Sequence, residues 1–176
     1  MEVMHMKKIK KIMIIGLIIS ILTSFTSVAK PFNPGMFTSV DIESKVLPPY
    51  VRESLDRVVS VLKGSFFSAA DLKIANENGE IGITGHSFMS APVDEIYMSI
   101  YIDQKNEKEN RWVQVAYYDF EFFAKDYPQG LTSETVSFII DNQPKNRVYR
   151  ARGAYVAFKD GAMEGFGPVT DGVLIE

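Results

Sequence analysis

The side chains with the most distinctive chemistry in this sequence form an aromatic run at residues 117–123. If the strand alternates strictly, Tyr117 points to one face, and the opposite face carries Trp112, Tyr118, Phe120 and Phe122. Rings that share one strand face bind sugars by stacking, or bind proteins through their amphipathic edges. The candidate ligand-binding residues, on this strand and on the strand predicted before it, are Trp112, Tyr118, Phe120, Phe122, Tyr97 and Tyr101.

The same aromatic run also has a purely structural interpretation. Tyr117 is predicted to face the core together with Val113 and Val115. The opposite, aromatic face is then predicted to lie under the N-terminal segment as a second small core. A monomer rarely leaves several aromatic rings bare, which favours this covered arrangement over an open binding strip.

Catalytic chemistry has little support in the sequence. His86 is the only histidine after residue 29, and its place after Gly85 favours an exposed turn over a catalytic triad or a metal site. Carboxylates beside turns are normally solvated rather than catalytic. The acidic groups considered are Asp94 with Glu95, Asp119 with Glu121, Asp160 with Glu164, and Asp103 with Glu107 and Glu109. We expect no enzyme activity, no cofactor and no bound metal.

The N-terminus has the pattern of a secretory signal peptide. Four lysines within residues 7–11 precede an apolar stretch over residues 12–22, and a Ser-Val-Ala sequence ends at Ala29. The apolar stretch is shorter than the roughly 20 residues that span a bilayer. We expect translation from Met1 or Met6, cleavage near Ala29, and a secreted protein outside the cell or at its surface, without a stable membrane span.

Composition limits what the exported chain does. The 176 residues are 46% hydrophobic and include no cysteine, which indicates one folded domain without disulfides, thiolate nucleophiles or Cys-ligated zinc. Without the predicted signal peptide at residues 1–29, 15 basic and 21 acidic residues remain, a net charge of −6. A chain with this charge and no basic run is poorly suited to bind nucleic acid.

Residues 30–64 are predicted to form an extended leader followed by one amphipathic helix. Pro48 and Pro49 suit a helix start and Gly64 suits its end. The apolar helical face contains Val51, Leu55, Val58, Val59 and Leu62. This face is predicted to dock on the following sheet, and the alternative is a helix that binds a partner.

From residue 65 onward, apolar side chains recur at every second position, the period of a β-strand. The clearest strand has Ile96, Met98, Ile100 and Ile102 on one face, and Asn78-Gly79 is typical of a tight hairpin turn. About seven short strands without intervening helices predict an antiparallel β-sandwich over residues 65–176.

The stretch from Tyr149 to Gly161 resembles the penultimate strand and following hairpin of a fibronectin type III or immunoglobulin-like domain. Pro144 and Thr170 stand where that pattern has them. The resemblance implies that Tyr149 is the tyrosine-corner residue, whose hydroxyl bonds back to the backbone.

Residues 100–102, a polar loop and residues 112–115 resemble the central hairpin of the same architecture. The stretch from about residue 65 is similar to small exported bacterial proteins that carry one such sandwich. The resemblance implies a fold but no activity.

These observations favour a secreted, non-enzymatic binding module for a cell-envelope glycan or protein. One alternative is a secreted antagonistic effector or enzyme inhibitor whose residues 30–64 engage the target. Another is a small hydrolase that uses carboxylates such as Asp94 or Glu164. The oligomeric state does not follow from the sequence.

Overall fold

Two antiparallel sheets contain nearly all of the regular structure. The computed structural model describes residues 31–176, and the predicted signal peptide lies outside the described residues. Every strand belongs to one compact unit, Pro34–Glu176. The predicted mainly β, antiparallel two-sheet architecture is confirmed.

The described residues contain nine strands and two short 3-10 helices. The strands are β1 (Glu53–Val59), β2 (Phe67–Glu77), β3 (Glu80–Val93), β4 (Glu95–Asn106), β5 (Arg111–Phe123), β6 (Leu131–Ile140), β7 (Arg147–Lys159), β8 (Ala162–Phe166) and β9 (Val173–Ile175). The 3-10 helices are Pro34–Met36 and Ala124–Asp126. After β7, the chain forms two short strands, β8 and β9, which are separated around Pro168, a residue without an N–H for a ladder.

The strand order is β1-β2-β3-β6 in one sheet and β5-β4-β7-β8 in the other, with β9 also pairing with β7. The β2–β3 turn is as predicted, because Asn78 and Gly79 both have positive φ, 58° and 89°. Two consecutive residues with positive φ form a type I′ turn, whose backbone twist matches the twist of the two strands it connects.

The core lies between the sheets. The row of β4 residues at positions 96, 98, 100 and 102 is buried as predicted, with no member more than 1% exposed. Leu72, Ile74, Ile81 and Ile83 face it from the other sheet. Burying each such side chain contributes about 1.5–3 kcal/mol.

The predicted amphipathic helix is wrong, because this segment forms the edge strand β1. It pairs antiparallel with β2, from Glu53 opposite Ala75 to Val59 opposite Ala69. Consecutive β-branched valines favour an extended backbone, and pairing satisfies the polar groups along one side of β2. Leu55, predicted to lie on a buried helical face, is 61% exposed.

Side chains on the inner face of β1 fix it to the C-terminal segment. The Asp56 carboxylate accepts a hydrogen bond from the Val169 amide at 2.7 Å, and the Ser54 hydroxyl accepts one from the Asp171 amide at 2.9 Å. The sheet therefore begins before residue 65, where the sandwich was predicted to start.

Residues 37–47, called the strap here, lie across the outer face of the five-stranded sheet. The strap ends in a short ladder in which the Leu47 amide donates to the Gly172 carbonyl and the Gly172 amide donates to the Lys45 carbonyl, at 2.9 and 2.7 Å. The predicted leader is thus ordered over these residues and packs on the domain. Within residues 31–176, no helix is long and apolar enough to cross a membrane.

Candidate functional site

The predicted aromatic strip is divided between the two faces of its sheet. Ile102 of β4 pairs with Ala116 of β5, but Asp103 pairs with Gln114, so Val115 is an extra residue. A β-bulge of this kind shifts the alternation by one residue. The prediction that Trp112 shares a face with Tyr118 is therefore wrong.

The C-terminal half of β5 contributes to the core. Tyr118, Phe120 and Phe122 are half-buried against the inter-sheet cluster, and the rings of Tyr118 and Phe120 lie 4.7 and 5.6 Å from the ring of Phe138. Tyr118 and Phe120 thus pack on β6 of the opposite sheet, and Phe122 packs on the core between the sheets. The prediction that Tyr117, Val113 and Val115 face the core is wrong, since they are 62%, 36% and 44% exposed.

The other three candidates belong to the outer face, where Tyr97 and Tyr101 alternate with the buried row of β4 and Lys105 pairs with Trp112. Tyr97 is buried between the edges of the Phe123 and Phe158 rings. Its hydroxyl donates to Glu95 at 2.5 Å. Burial, together with this carboxylate, raises its pKa.

Trp112 and Tyr101 are joined through three buried charged residues. The Arg150 guanidinium lies 4.5 Å from the centre of the Trp112 ring, and the Arg152 guanidinium lies 5.0 Å from the centre of the Tyr101 ring. Asp103 accepts hydrogen bonds from both arginines. The result is a continuous row of alternating rings and charges across β5, β4 and β7.

The centre of this row is one carboxylate held by two guanidinium groups. Arg152 binds Asp103 through two bonds, Nε to Oδ2 at 2.6 Å and Nη2 to Oδ1 at 3.0 Å. Arg150 adds a bond from Nε to Oδ2 at 2.9 Å. All three side chains are almost fully buried, and together they carry one net positive charge.

The strap compensates this buried charge with neutral oxygen acceptors. Arg150 donates to the carbonyls of Val40 and Ile42, and Arg152 donates to the Thr38 hydroxyl. Burial lowers the pKa of Arg150, and the bonds to Asp103 oppose that shift. Since an unpaired buried charge is very costly, the strap and the three charged residues stabilise one another.

An open groove of about 750 Å³ lies between the strap and the β4–β5 hairpin. Its lining includes three carboxylates, three cationic side chains and an edge of the Trp112 ring. The charged lining residues are Asp41, Glu43, Asp171, Lys45, Lys105 and Arg111. The ring is held in place because Lys105 and Arg150 lie over it and Gly172 leaves it room.

The opposite end of the row is a pair of tyrosines, of which Tyr101 is half-buried and Tyr117 is exposed. The Tyr101 and Tyr117 rings are stacked, with centroids 6.4 Å apart and an angle of 26° between their planes. Burial, followed by the nearby Asp119, raises the pKa of Tyr101. Tyr117 leaves most of its ring open to solvent beside the strap-covered part of the sheet.

The candidate catalytic residues have structural roles. Glu164 accepts hydrogen bonds from the Ser65 hydroxyl and the Phe67 amide, and Asp94 accepts one from the Asp160 amide. His86 lies within β3 instead of at a turn, because β3 continues to Val93. Its Nδ1 lies 2.8 Å from the Thr135 hydroxyl on the outer face of the four-stranded sheet.

Among residues 31–176, no group of three or more acidic or histidine side chains is placed to hold a metal ion. Asp103, considered above as a loop oxygen ligand, is a buried strand residue bound by two arginines.

No protein-family model matches the sequence, and no curated protein matches it.

The residues that the sequence analysis missed are Arg150 and Arg152. The signal was present, since two arginines at i and i+2 interrupt the small and apolar side chains of a long strand. In a strand paired on both sides, such a spacing places two charges on one face, where they need a carboxylate partner and a cover.

Proposed function

We propose that the protein is an exported, non-enzymatic binding module whose ligand is a saccharide of the cell envelope. The proposed site is the groove between the strap and the β4–β5 hairpin, together with the exposed Tyr117 ring, which stacks on Tyr101 on the same sheet face. Export rests on the signal-peptide pattern of the N-terminus.

The proposal rests on the combination of a preformed groove with an exposed, stacked tyrosine ring on one sheet face. Ligand sites in proteins are concave, largely preformed, and lined by rings with a few polar groups that fix orientation. Both walls are constrained here, one by the β4–β5 ladder and the other by the bonds from Arg150 to the strap.

A saccharide is favoured by the balance of charge in the groove. The groove is lined by three carboxylates and three cations, so its charge favours neither an anionic nor a cationic ligand. A saccharide suits such a lining because its hydroxyl groups both donate and accept hydrogen bonds. The flat side of a sugar ring also stacks on an open aromatic face such as that of Tyr117.

We also propose that the sandwich is of the immunoglobulin or fibronectin type III kind. With β1 set aside, β2, β3 and β6 occupy the places of strands A, B and E, while β5, β4, β7 and β8 occupy those of C′, C, F and G. In support, the Tyr149 hydroxyl donates to the Pro144 carbonyl at 2.8 Å, the backbone bond that the resemblance implies.

The test is binding of the folded protein to an array of bacterial envelope saccharides, followed by calorimetric titration of the best binder. The protein is expressed as the full chain, and its processed N-terminus is determined by mass spectrometry. Tyr117→Ala and Arg111→Ala are each expected to weaken the saccharide Kd about tenfold, equivalent to about 1.4 kcal/mol. Tyr50→Ala is the matched control, because Tyr50 is an exposed tyrosine that does not line the groove.

Three results would contradict the proposal. The first is a folded protein that binds no saccharide at millimolar concentration. The second is binding that Tyr117→Ala and Arg111→Ala leave unchanged. The third is capture of an envelope protein on the same face with no competition from saccharides, which would favour a protein ligand instead.

A further inference from the structure

The outer edge of β1 has backbone groups without a strand partner in the described part of the chain. β1 is the first strand in the order of its sheet. The bonds from Asn76 to Arg52 and from Ser60 to Ser68 show that even-numbered residues of this segment pair with β2. The N–H and C=O groups of residues 53, 55, 57 and 59 therefore point away from β2.

The side chains of these four residues are also exposed. Leu55 and Val59 are 61% and 53% exposed, and the charged side chains of Glu53 and Arg57 are 66% and 57% exposed. A flat edge strand with exposed apolar side chains pairs readily with another strand, and natural edges usually prevent this with lysine, proline or a bulge. β1 contains no lysine, no proline and no shift of register.

The sequence around Leu55 is complementary to itself when read in the opposite direction. In an antiparallel pairing centred on Leu55, Glu53 lies opposite Arg57 of a second copy and Arg57 lies opposite its Glu53. Leu55 then meets Leu55, and Val51 meets Val59. Directly opposed residues share a face, so both charge pairs and all apolar pairs are in contact.

Other registers lose this match. Centring the pairing on Arg57 places two arginines opposite each other, which is unfavourable. Centring it on Asp56 places Arg57 opposite Leu55 and Glu53 opposite Val59, so that neither charge meets an opposite charge of the second copy. Charge complementarity therefore selects both the occupant of the edge and its register.

We infer that two copies of this protein associate through antiparallel pairing of their β1 strands about Leu55, joining two four-stranded sheets into one. The occupant is a second copy because a peptide of unrelated sequence would not supply the matched charges. Each opposed pair of residues 53, 55 and 57 exchanges two backbone hydrogen bonds. A strand-edge interface is small, so we expect a Kd in the micromolar range, about 1–100 µM.

The experiment is sedimentation velocity of the purified protein, expressed as the full chain, at concentrations below and above that range. Glu53→Arg and Arg57→Glu each place like charges opposite and are expected to weaken dimerisation at least about tenfold. Mixing these two variants restores opposite charges in both pairs, so a heterodimer of wild-type affinity is expected. Leu55→Pro removes an outward N–H and the central leucine side chain but no backbone bond to β2, so it is expected to abolish the dimer while β1 remains paired with β2.

Thermal unfolding of each variant distinguishes loss of dimerisation from loss of folding. Leu62→Arg is the matched control, because Leu62 is an exposed leucine outside β1, and it is expected to leave the dimer unchanged. A monomer at every concentration would overturn the inference. So would a dimer that Leu55→Pro and Glu53→Arg leave intact, or two weakened variants that do not recover when mixed. If Arg57→Glu fails to fold beside Asp71, the other two variants decide.

Discussion

Each sheet carries an arginine–aspartate pair on its outer face, and the two pairs differ in what covers them. On the five-stranded sheet, Arg150 Nε and Asp103 Oδ2 are 2.9 Å apart and both side chains are fully buried. On the four-stranded sheet, Arg57 Nε and Asp71 Oδ1 are 3.3 Å apart, with Arg57 57% exposed and Asp71 14% exposed. The same two residue types thus occupy a fully buried setting and a setting in which the cation reaches solvent.

The strap determines the role of the charges beneath it. A pair with one exposed partner, such as Arg57 with Asp71, contributes about 1 kcal/mol, because water and salt screen it. A buried group of charges is retained only where every charge has partners, and here the strap provides several of them. Several hydrogen bonds therefore hold the strap on this face, and the groove lies along the strap.

Removing the buried carboxylate is the strongest test of this comparison. Asp103→Asn keeps the shape of the side chain but leaves two guanidinium groups without an anion, so we expect a loss of about 3–5 kcal/mol in the free energy of unfolding. Urea unfolding followed by tryptophan fluorescence measures this, since Trp112 lies against Arg150. Glu121→Gln, at an exposed carboxylate of the same sheet, is expected to change stability by less than about 0.5 kcal/mol. Equal effects of the two substitutions would refute the comparison.

Crowding the strap gives the next largest effect. A Cβ at Gly167 would lie 1.8 Å from the Phe37 carbonyl oxygen, so Gly167→Ala forces the strap away and is expected to cost about 1–3 kcal/mol. The control is Gly82→Ala on the four-stranded sheet, where a Cβ would meet the flexible Glu77 side chain. Limited proteolysis checks the prediction, with cleavage in the strap expected for Gly167→Ala only. A strap that resists protease in both variants would argue against close packing at Gly167.

Tyr155 provides a buried polar group that, unlike Asp103, has no hydrogen-bond partner among the described residues. Its hydroxyl occupies the space left by Gly85, whose Cβ would lie 2.4 Å from it. Burial, with a smaller contribution from Asp71, raises the pKa of Tyr155. The folded state therefore binds the hydroxyl proton more tightly than the unfolded state does. Below about pH 10 both states keep this proton and stability is unaffected. Above that value the unfolded state loses the proton first, so the free energy of unfolding falls as pH rises.

Tyr155→Phe tests this directly. We expect the variant to be as stable as the wild type at pH 7 and to gain up to about 1.4 kcal/mol on it for each pH unit above 10. Urea unfolding at pH 7 and pH 11 provides the comparison. A large loss at pH 7 would instead show that the hydroxyl has a stabilising partner.

The smallest effect is expected at the Arg57–Asp71 pair. Because the Arg57 side chain is 57% exposed and solvent screens its charge, Arg57→Gln should lower the free energy of unfolding by about 1 kcal/mol, and by less at high salt. Unfolding at two salt concentrations measures it. A loss as large as that of Asp103→Asn would mean that exposure does not separate the two pairs.

The strands were predictable where the apolar side chains follow the strand period and no other. The alternating row of β4 and the Asn78-Gly79 turn are local signals, and both are confirmed. β1 was missed because its apolar residues fit a helical period as well as a strand, and only the partner β2 decides between the two. The bulge at Val115 was missed because nothing in the local sequence marks an extra residue, and it moved Trp112 to the other face.

The candidate site was predictable only in part. Trp112, Tyr101 and Tyr97 do lie on the outer face, while Tyr118, Phe120 and Phe122 pack between the sheets. The covering segment was expected to be a helix or leader, and it is the strap that lies over this face. Its oxygens meet Arg150 from more than 100 residues away in sequence, a contact that local patterns do not specify.

The most direct test of the central claim, that the strap-covered side carries the binding site, is amide chemical-shift mapping by NMR during titration with the best-binding envelope saccharide. We predict that the shifts which change belong to the strap, to residues 105–112 and to Tyr117, and that His86, Phe88 and Thr135 on the open sheet face remain unchanged. Changes centred on those three residues, with the strap unaffected, would contradict the claim.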